Sequence, residues 1–345
     1  MVRFVVTADW QLGMSRHFLD GEAQSRFAAA RTDVVRRVGA LARAEGCAFV
    51  LVCGDVFESN QLDRRVVLRS LQAMADVPVP VHLLPGNHDP IDAASVLQSP
   101  TFRANRPPNV HVLDGAGPVA VAPGAELVAA PWRSKRPGRD LVAEACAGLP
   151  ADGTVRIVAG HGAVDVLSPD RGDPARVGLA AAEAALAEGR IHFLGLGDRH
   201  STTAVGASGR IWYPGAPEPT DFDEVDPGNV LVVEVDEDHC TVTAHRVGAW
   251  HFVEHHRELT GGADVAALGA WFDALPVKER TVVRLTLVGA LGLADDARLR
   301  EVLDHHGALL ASLARWEKRS HLVVLPSDDD LGALDLHGFA ARGCD

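Results

Sequence analysis

The chain has 345 residues, 47% hydrophobic and 23% charged, enough at roughly 100–200 residues per domain for two domains or three, and this balance excludes a disulfide mini-protein and a largely disordered chain. Lys and Arg number 33 against 46 Asp and Glu, a net charge of −13, which argues against a broad basic face for nucleic acid but not against a nuclease, because metal ions in an active site bring their own positive charge to a phosphate. The five cysteines form no Cys-x-x-Cys pair, which disfavours a disulfide framework or a thiolate zinc site; with no apolar run near the roughly 18–20 residues of a membrane span and a carboxylate at Asp9, too early for a signal peptide, the expected location is the cytoplasm.

In chain order, a β-branched run over residues 3–8 predicts a strand ending at Asp9. Phe27, Ala30, Val34, Val38 and Leu41 recur at helical spacing behind Asp20, a helix cap. Further strands are predicted at 48–54, ending at Asp55; 79–86, ending at Asn87; 155–160, ending at His161; and 191–197, ending at Asp198. Strands alternating with helical stretches specify an α/β fold, and ligands of open α/β sheets bind beyond the carboxyl ends of the strands, so these ends are expected to converge. From 230 to 256, short alternating segments at 231–235, 241–246 and 251–257 read as antiparallel strands completing a second sheet layer. Gly261-Gly262 breaks the pattern, and a helix at 264–275, a strand at 281–288, a helix at 294–313 and a strand at 322–325 make a small α+β module. The expected domains are 1–260 and 263–326, with an acidic tail at 327–345.

The chemistry lies in Asp9, Gln11, Asp55, Asn87, His88, His161, Asp198 and His200. Oxygen and imidazole donors without thiolates suit Mn, Fe, Zn or Mg. Two divalent ions sharing one carboxylate would hold a phosphate from both sides and acidify a water for attack, which is phosphoester hydrolysis. Each residue alone has a duller explanation, as a turn cap or a satisfied polar group. Their combination is what points to the chemistry.

Asp9-Trp10-Gln11, Gly54-Asp55-Val56-Phe57, Gly86-Asn87-His88-Asp89, Gly160-His161-Gly162 and Gly197-Asp198-Arg199-His200 resemble, in order and spacing, the signature of the calcineurin-like metallophosphoesterases: Asp-x-His, Gly-Asp-x-x, Gly-Asn-His-Asp, Gly-His and Gly-His-x-His. The segment Tyr213-Pro214-Gly215-Ala216-Pro217-Glu218-Pro219-Thr220-Asp221-Phe222 is similar to Tyr-Pro-Gly-Ser-Pro-Glu-Arg of the SbcD branch, nuclease subunits of a bacterial double-strand-break repair complex. Its duller reading is a rigid loop under the site.

The resemblance implies a two-sheet α/β/β/α sandwich with a C-terminal α+β capping domain. It implies a DNA exonuclease and single-strand endonuclease with two divalent ions, Mn²⁺ first, with Mg²⁺, Fe²⁺ or Zn²⁺ as alternatives. One ion falls on Asp9, Gln11, Asp55 and His200, and the other on Asp55, Asn87, His161 and Asp198. His88 becomes the catalytic histidine, with Asp89 orienting its ring. The implied partners are DNA, an SbcC-type ATPase and a second copy of the chain, although residues 327–345 are too few for the helix pair that holds the ATPase in the family.

Two positions depart from the signature. Gln11 stands where the family has histidine, a weaker neutral donor, and Asp198 replaces the first histidine of Gly-His-x-His, which shifts preference toward hard ions such as Mn²⁺ or Mg²⁺. Arg199, Arg133, Lys135 and Arg136 are candidate phosphate contacts, with local ion pairs or a solvated loop as the alternative. A nucleotide phosphodiesterase or phosphatase and a non-catalytic binding scaffold are the rival functions.

Overall fold

A computed structural model describes residues 1–168 and 170–325; the tail read at 327–345 and residue 326 lie outside the described residues. The chain divides into two compact units, one of residues 1–15 and 27–249, the other of residues 16–26 and the described residues from 250 onward. Among the described residues no helix is long and apolar enough to cross a membrane.

In the first unit the elements run β1 (Val2–Thr7), α1 (Gly21–Ala44), β2 (Val50–Cys53), α2 (Arg64–Ala75), β3 (Val81–Leu84), α3 (Pro100–Asn105), β4 (Val110–Val112), β5 (Val119–Ala122), β6 (Ala125–Ala129), α4 (Leu141–Cys146), β7 (Val155–His161), α5 (Leu179–Ala187), β8 (Phe193–Gly197), β9 (Thr203–Val205), β10 (Ile211–Tyr213), β11 (Asn229–Val235) and β12 (Cys240–Arg246). The opening turn of α1 is counted with the second unit, and there Asp20 caps the helix by accepting the Ala23 N–H at 2.8 Å.

Two six-stranded sheets result, in the orders β12-β11-β1-β2-β3-β4 and β5-β6-β7-β8-β10-β9. The strands β1 to β4 are mutually parallel, as are β6, β7, β8 and β10. Every residue of β2 and β3 is buried, which is why β2 reads as an unbroken apolar run and β3 as one interrupted only by His82.

Between the sheets lie Phe4, Val6, Phe49, Leu51 and Cys53 from one side and Leu127, Ile157, Ala159 and Phe193 from the other. The Phe4 ring stacks on Phe49 at 4.8 Å and meets Phe193 edge-on at 5.7 Å. On the outer face of the first sheet, Val35 and Val38 of α1, Leu71 and Met74 of α2 and Phe102 of α3 cover Val50, Val52, Val81 and Leu83. On that of the second, Val142 and Cys146 of α4 and Ala182 and Ala185 of α5 cover Val128, Val158 and Leu194. This is the expected α/β/β/α sandwich.

The second unit holds β13 (His251–Leu259), α6 (Gly262–Asp273), β14 (Thr281–Leu291), α7 (Leu293–Gly307), β15 (Ser312–Arg315) and β16 (His321–Val324). β14 is central, with β13 on one side and β15 followed by β16 on the other, all parallel. Val265, Leu268 and Phe272 of α6 and Leu299 of α7 pack against Val283, Leu285 and Leu287.

Two expectations are corrected here. The segment at 251–257 does not complete a layer with its predecessors: β11 and β12 extend the β1 sheet antiparallel, whereas β13 pairs in parallel with β14 over its whole length. Alternation marks a one-sided strand without naming its partner, and this partner lies beyond a helix. The helix expected at 294–313 stops at Gly307, and Ser312–Arg315 forms β15. The division therefore falls between 249 and 250, ahead of the Gly261-Gly262 break.

Candidate metal centre

The carboxyl ends of β1, β2, β3, β7 and β8 deliver the candidate residues. Beyond β1 and β2 the two loops zip together, the Gln11 N–H donating to the Asp55 carbonyl at 2.9 Å and the Leu12 N–H to that of Val56 at 2.9 Å. The resulting turns hold side chains in left-handed backbone: Asp9 at φ 52°, Gln11 at 43°, Asp55 at 51° and Asp198 at 91°. Such residues cost about 1–3 kcal/mol each and persist where the surroundings over-determine them. Two glycines allow the close approach. A Cβ on Gly86 would sit 2.2 Å from Asp55 Oδ1, and one on Gly197 would sit 1.9 Å from the Cys53 carbonyl oxygen.

Donor atoms of Asp9, Asp55 and His161 all lie within 4.8 Å of one another, and all three residues are buried. The His161 Nδ1–H donates to the Cys53 carbonyl at 3.0 Å, which turns Nε2 toward Asp55 Oδ1 at 3.5 Å and Asp198 Oδ1 at 3.9 Å. The Asn87 amide approaches the same Nε2 at 2.7 Å. With its nitrogen turned inward it donates to both Asp55 oxygens, at 3.2 and 3.1 Å, and to Nε2 of the neutral ring; the other edge of the same amide carries the oxygen a cation needs. Asp9 accepts the Asp198 backbone N–H at 3.0 and 3.2 Å. Gln11 Nε2 lies 3.4 Å from His200 Nε2, and the buried Gln11 Oε1 has no hydrogen-bond partner among the described residues.

The electrostatics fit a cation site. Burial pushes the Asp9 carboxyl up to about 6 against the pull of His200 and His161. Burial also works against charge on His161, yet Asp55, Asp198 and Asp9 raise it to about 9. His200 is raised as well, burial being outweighed by its bond to Glu224 and the nearby carboxylates. The cluster thus holds protons that divalent ions would displace. The orphaned Gln11 oxygen, the acceptor-only carboxylates and the imidazole lone pairs are a hard-donor set suited to such ions.

His88 sits at the rim, its side chain 37% exposed. Its backbone N–H donates to Asp55 Oδ1 at 2.9 Å and its Nδ1–H to the Glu58 carbonyl at 2.8 Å, leaving Nε2 4.0 Å from Asp55 Oδ2. Asp89, expected to orient that ring, is committed elsewhere. Its carboxylate accepts the Gly86 N–H at 2.8 Å and the Phe57 N–H at 3.0 Å, bracing one ligand loop against the other. Burial, with the Asp55 charge, pushes it up to about 7. The ring is oriented by the Glu58 backbone.

The basic candidates are placed less centrally. Arg199 turns along its own loop, its Nε–H donating to Thr203 Oγ1 at 3.0 Å. Arg133, Lys135 and Arg136 are exposed on the loop between β6 and α4, with Arg133 donating to the Asp114 carbonyl. The same loop carries Trp132, whose Nε1–H donates to the His161 carbonyl at 2.8 Å. Arg133 and Arg139 line a cavity of about 510 Å³ with Ala130, Pro131, Leu141 and Glu144.

Trp132 and Glu224 were not singled out from sequence, and Tyr213 was named only as part of its segment. Trp132 backs His161 edge-on at 5.7 Å. The Tyr213 hydroxyl donates to the Gly162 carbonyl at 2.8 Å and accepts the Val164 N–H at 2.9 Å, fastening the loop that follows His161; the rigid-loop reading of this segment fits that placement. Glu224 accepts from His200. Trp132 and Glu224 have no local motif, because each acts on a residue distant in sequence.

A family model of calcineurin-like phosphoesterases matches residues 2–201. No curated protein is matched. Among solved structures, the chain is similar to a dimetal phosphatase from Danio rerio, at 15% identity over 71% of this chain and 96% of that one with a TM-score of 0.45. It is also similar to the protein TT1561 of Thermus thermophilus, at 8% identity over 71% and 99% with a TM-score of 0.46. The matched span runs through every clustered residue from Asp9 to His200, and the chain belongs to the calcineurin-like phosphoesterase family.

Proposed function

We propose that this protein is a two-metal phosphodiesterase whose substrate is DNA, cut as an exonuclease and a single-strand endonuclease in repair. The observation that carries the phosphodiesterase reading is His88 at the rim of the buried carboxylate and imidazole cluster, its Nδ1–H tied to the Glu58 carbonyl and its Nε2 4.0 Å from Asp55 Oδ2. One ion would be held by Asp9, Gln11, Asp55 and His200, the other by Asp55, Asn87, His161 and Asp198. Bound there, divalent ions, Mn²⁺ in this proposal, supply Lewis acidity to a phosphate and lower the pKa of a water. The chain's own contribution is to hold the cluster rigid through Asp89, Cys53 and Trp132, and to place the Nε2 edge of the His88 ring where charge develops on the phosphate or on the departing oxygen.

DNA is supported by the exposed Arg133, Lys135 and Arg136 on the loop that backs His161, and by the SbcD-like Tyr213 segment. An SbcC-type ATPase partner, a homodimer and a cytoplasmic location belong to the same proposal. A nucleotide-sized phosphoester is the second reading, favoured by the cavity of about 510 Å³ beside that loop. The test is hydrolysis of end-labelled single- and double-stranded DNA, a mononucleotide and bis(p-nitrophenyl) phosphate with Mn²⁺. Faster turnover of DNA supports the nuclease. Turnover of the mononucleotide with none of DNA transfers the proposal to the second reading, and no turnover of any leaves the scaffold.

A further inference from the structure

Glu224, outside every motif that marks the cluster, is aimed at one of its imidazoles. Its side chain is 5% exposed. Its carboxylate accepts the Thr220 N–H at 3.1 and 2.9 Å, the Asp221 N–H at 3.2 Å and the Thr220 hydroxyl. His200 Nδ1 lies 2.7 Å from Thr220 Oγ1 and 3.0 Å from Glu224 Oε1.

The proton inventory then fixes the tautomer. A hydroxyl has one proton to give, and Thr220 gives it to Glu224, a carboxylate that is acceptor-only when ionised. Both oxygens facing His200 Nδ1 are therefore acceptors, and the proton between them and the ring belongs to Nδ1. In the neutral ring this leaves the lone pair on Nε2, which faces Gln11 3.4 Å away. The backbone is pinned by another group outside the motifs. Arg31, 1% exposed, donates to the Trp10 carbonyl at 3.0 Å and to that of Pro219 at 3.0 Å, joining the residue between Asp9 and Gln11 to the one before Thr220.

We propose that Glu224, acting with Thr220, is a positioning residue that locks His200 as its Nδ1–H tautomer and thereby sets the affinity of one ion position, that of Asp9, Gln11 and His200, leaving the other unaffected. With a neutral amide at Gln11, that position depends on His200 more than one holding two imidazoles would. Outer partners of this kind are worth about 10–100-fold in metal affinity. The inference rests on the two-ion reading of the centre and is independent of the substrate.

The experiment is Mn²⁺ calorimetry on the full chain and on Glu224→Gln and Glu224→Ala, joined to ¹⁵N NMR of the metal-free histidine rings. Glu224→Ala is expected to weaken one of two binding events about 10–100-fold with the other within about twofold, and to abolish the Nδ1–H signature of His200. Glu224→Gln, which keeps an acceptor and the side chain's shape, is expected to fall between. Unchanged affinities, or an equal fall in both events, would overturn the proposal, the latter because it would make Glu224 a brace for the whole loop. If the parent binds no ion, the two-ion reading fails, and an Nε2–H ring in the parent would overturn the tautomer assignment by itself.

Discussion

Asp55 Oδ1 accepts the His88 backbone N–H at 2.9 Å while lying 3.5 Å from His161 Nε2, so one carboxylate touches both the ligand cluster and the rim histidine. His88 has a different standing, since its ring is anchored at Nδ1 by the Glu58 carbonyl and sits at the rim, with Nε2 4.0 Å from Asp55 Oδ2. His88→Ala is expected to lower kcat by about 10²–10⁴-fold, the range for a lost general acid, with ion affinity preserved. Paired turnover and calorimetric measurements check this, and loss of an ion would make His88 a ligand. The convergence of Asp9, Asp55 and His161 was legible in the sequence because each closes a predicted strand. The role of Asp89 was not, because the resemblance implied a contact with the His88 ring, whereas its carboxylate accepts from Gly86 and Phe57. Glu224 and Trp132 could not be read because their partners are set by the return of distant loops.

Strands buried on both faces announce themselves by composition, which is why β1, β2, β3, β7 and β8 fall within a few residues of expectation. β15 spans only Ser312–Arg315, too short for a period, and disappeared into a helix. β3 also carries a testable cost. His82 is 5% exposed, stacked on His111 at 5.1 Å and edge-on to Phe49 at 5.5 Å, and burial, with the His111 charge, lowers it from 6.5 to about 4. The unfolded chain therefore takes up this proton first as the pH falls. The associated stability is fully present above 6.5 and is lost as the pH drops from 6.5 through about 4, on the order of 2–3 kcal/mol. Urea unfolding of the parent and His82→Leu at about pH 7 and about pH 4.5 measures it. The parent should lose more stability than the variant between the two, and equal losses would show that His82 does not carry the effect.

Each unit has its own apolar core, that of the second built from Leu259, Leu268, Phe272 and Leu287, and every candidate ligand belongs to the first. The sequence placed the boundary at Gly261-Gly262, where local chemistry breaks the chain. The boundary at 249/250 was illegible because it depends on β13 pairing with a strand beyond α6. A truncation must respect that pairing. A chain ending at Ala249 is expected to keep its ions and its turnover of bis(p-nitrophenyl) phosphate within about threefold, because chemistry and ligands reside in the first unit. DNA cleavage should fall at least about tenfold, since a polymer must be held across several phosphates to gain the advantage of proximity. Undiminished DNA cleavage would remove the second unit from substrate handling.

In the proposed centre these side chains hold two ions through one shared carboxylate. The decisive measurement is the Mn²⁺ stoichiometry of the full chain and of Asp55→Asn, by calorimetry on metal-stripped protein. Two ions per chain are expected for the parent, with both affinities falling at least about tenfold in Asp55→Asn. One ion per chain in the parent, or a variant that weakens only one of two, would contradict the shared-carboxylate centre.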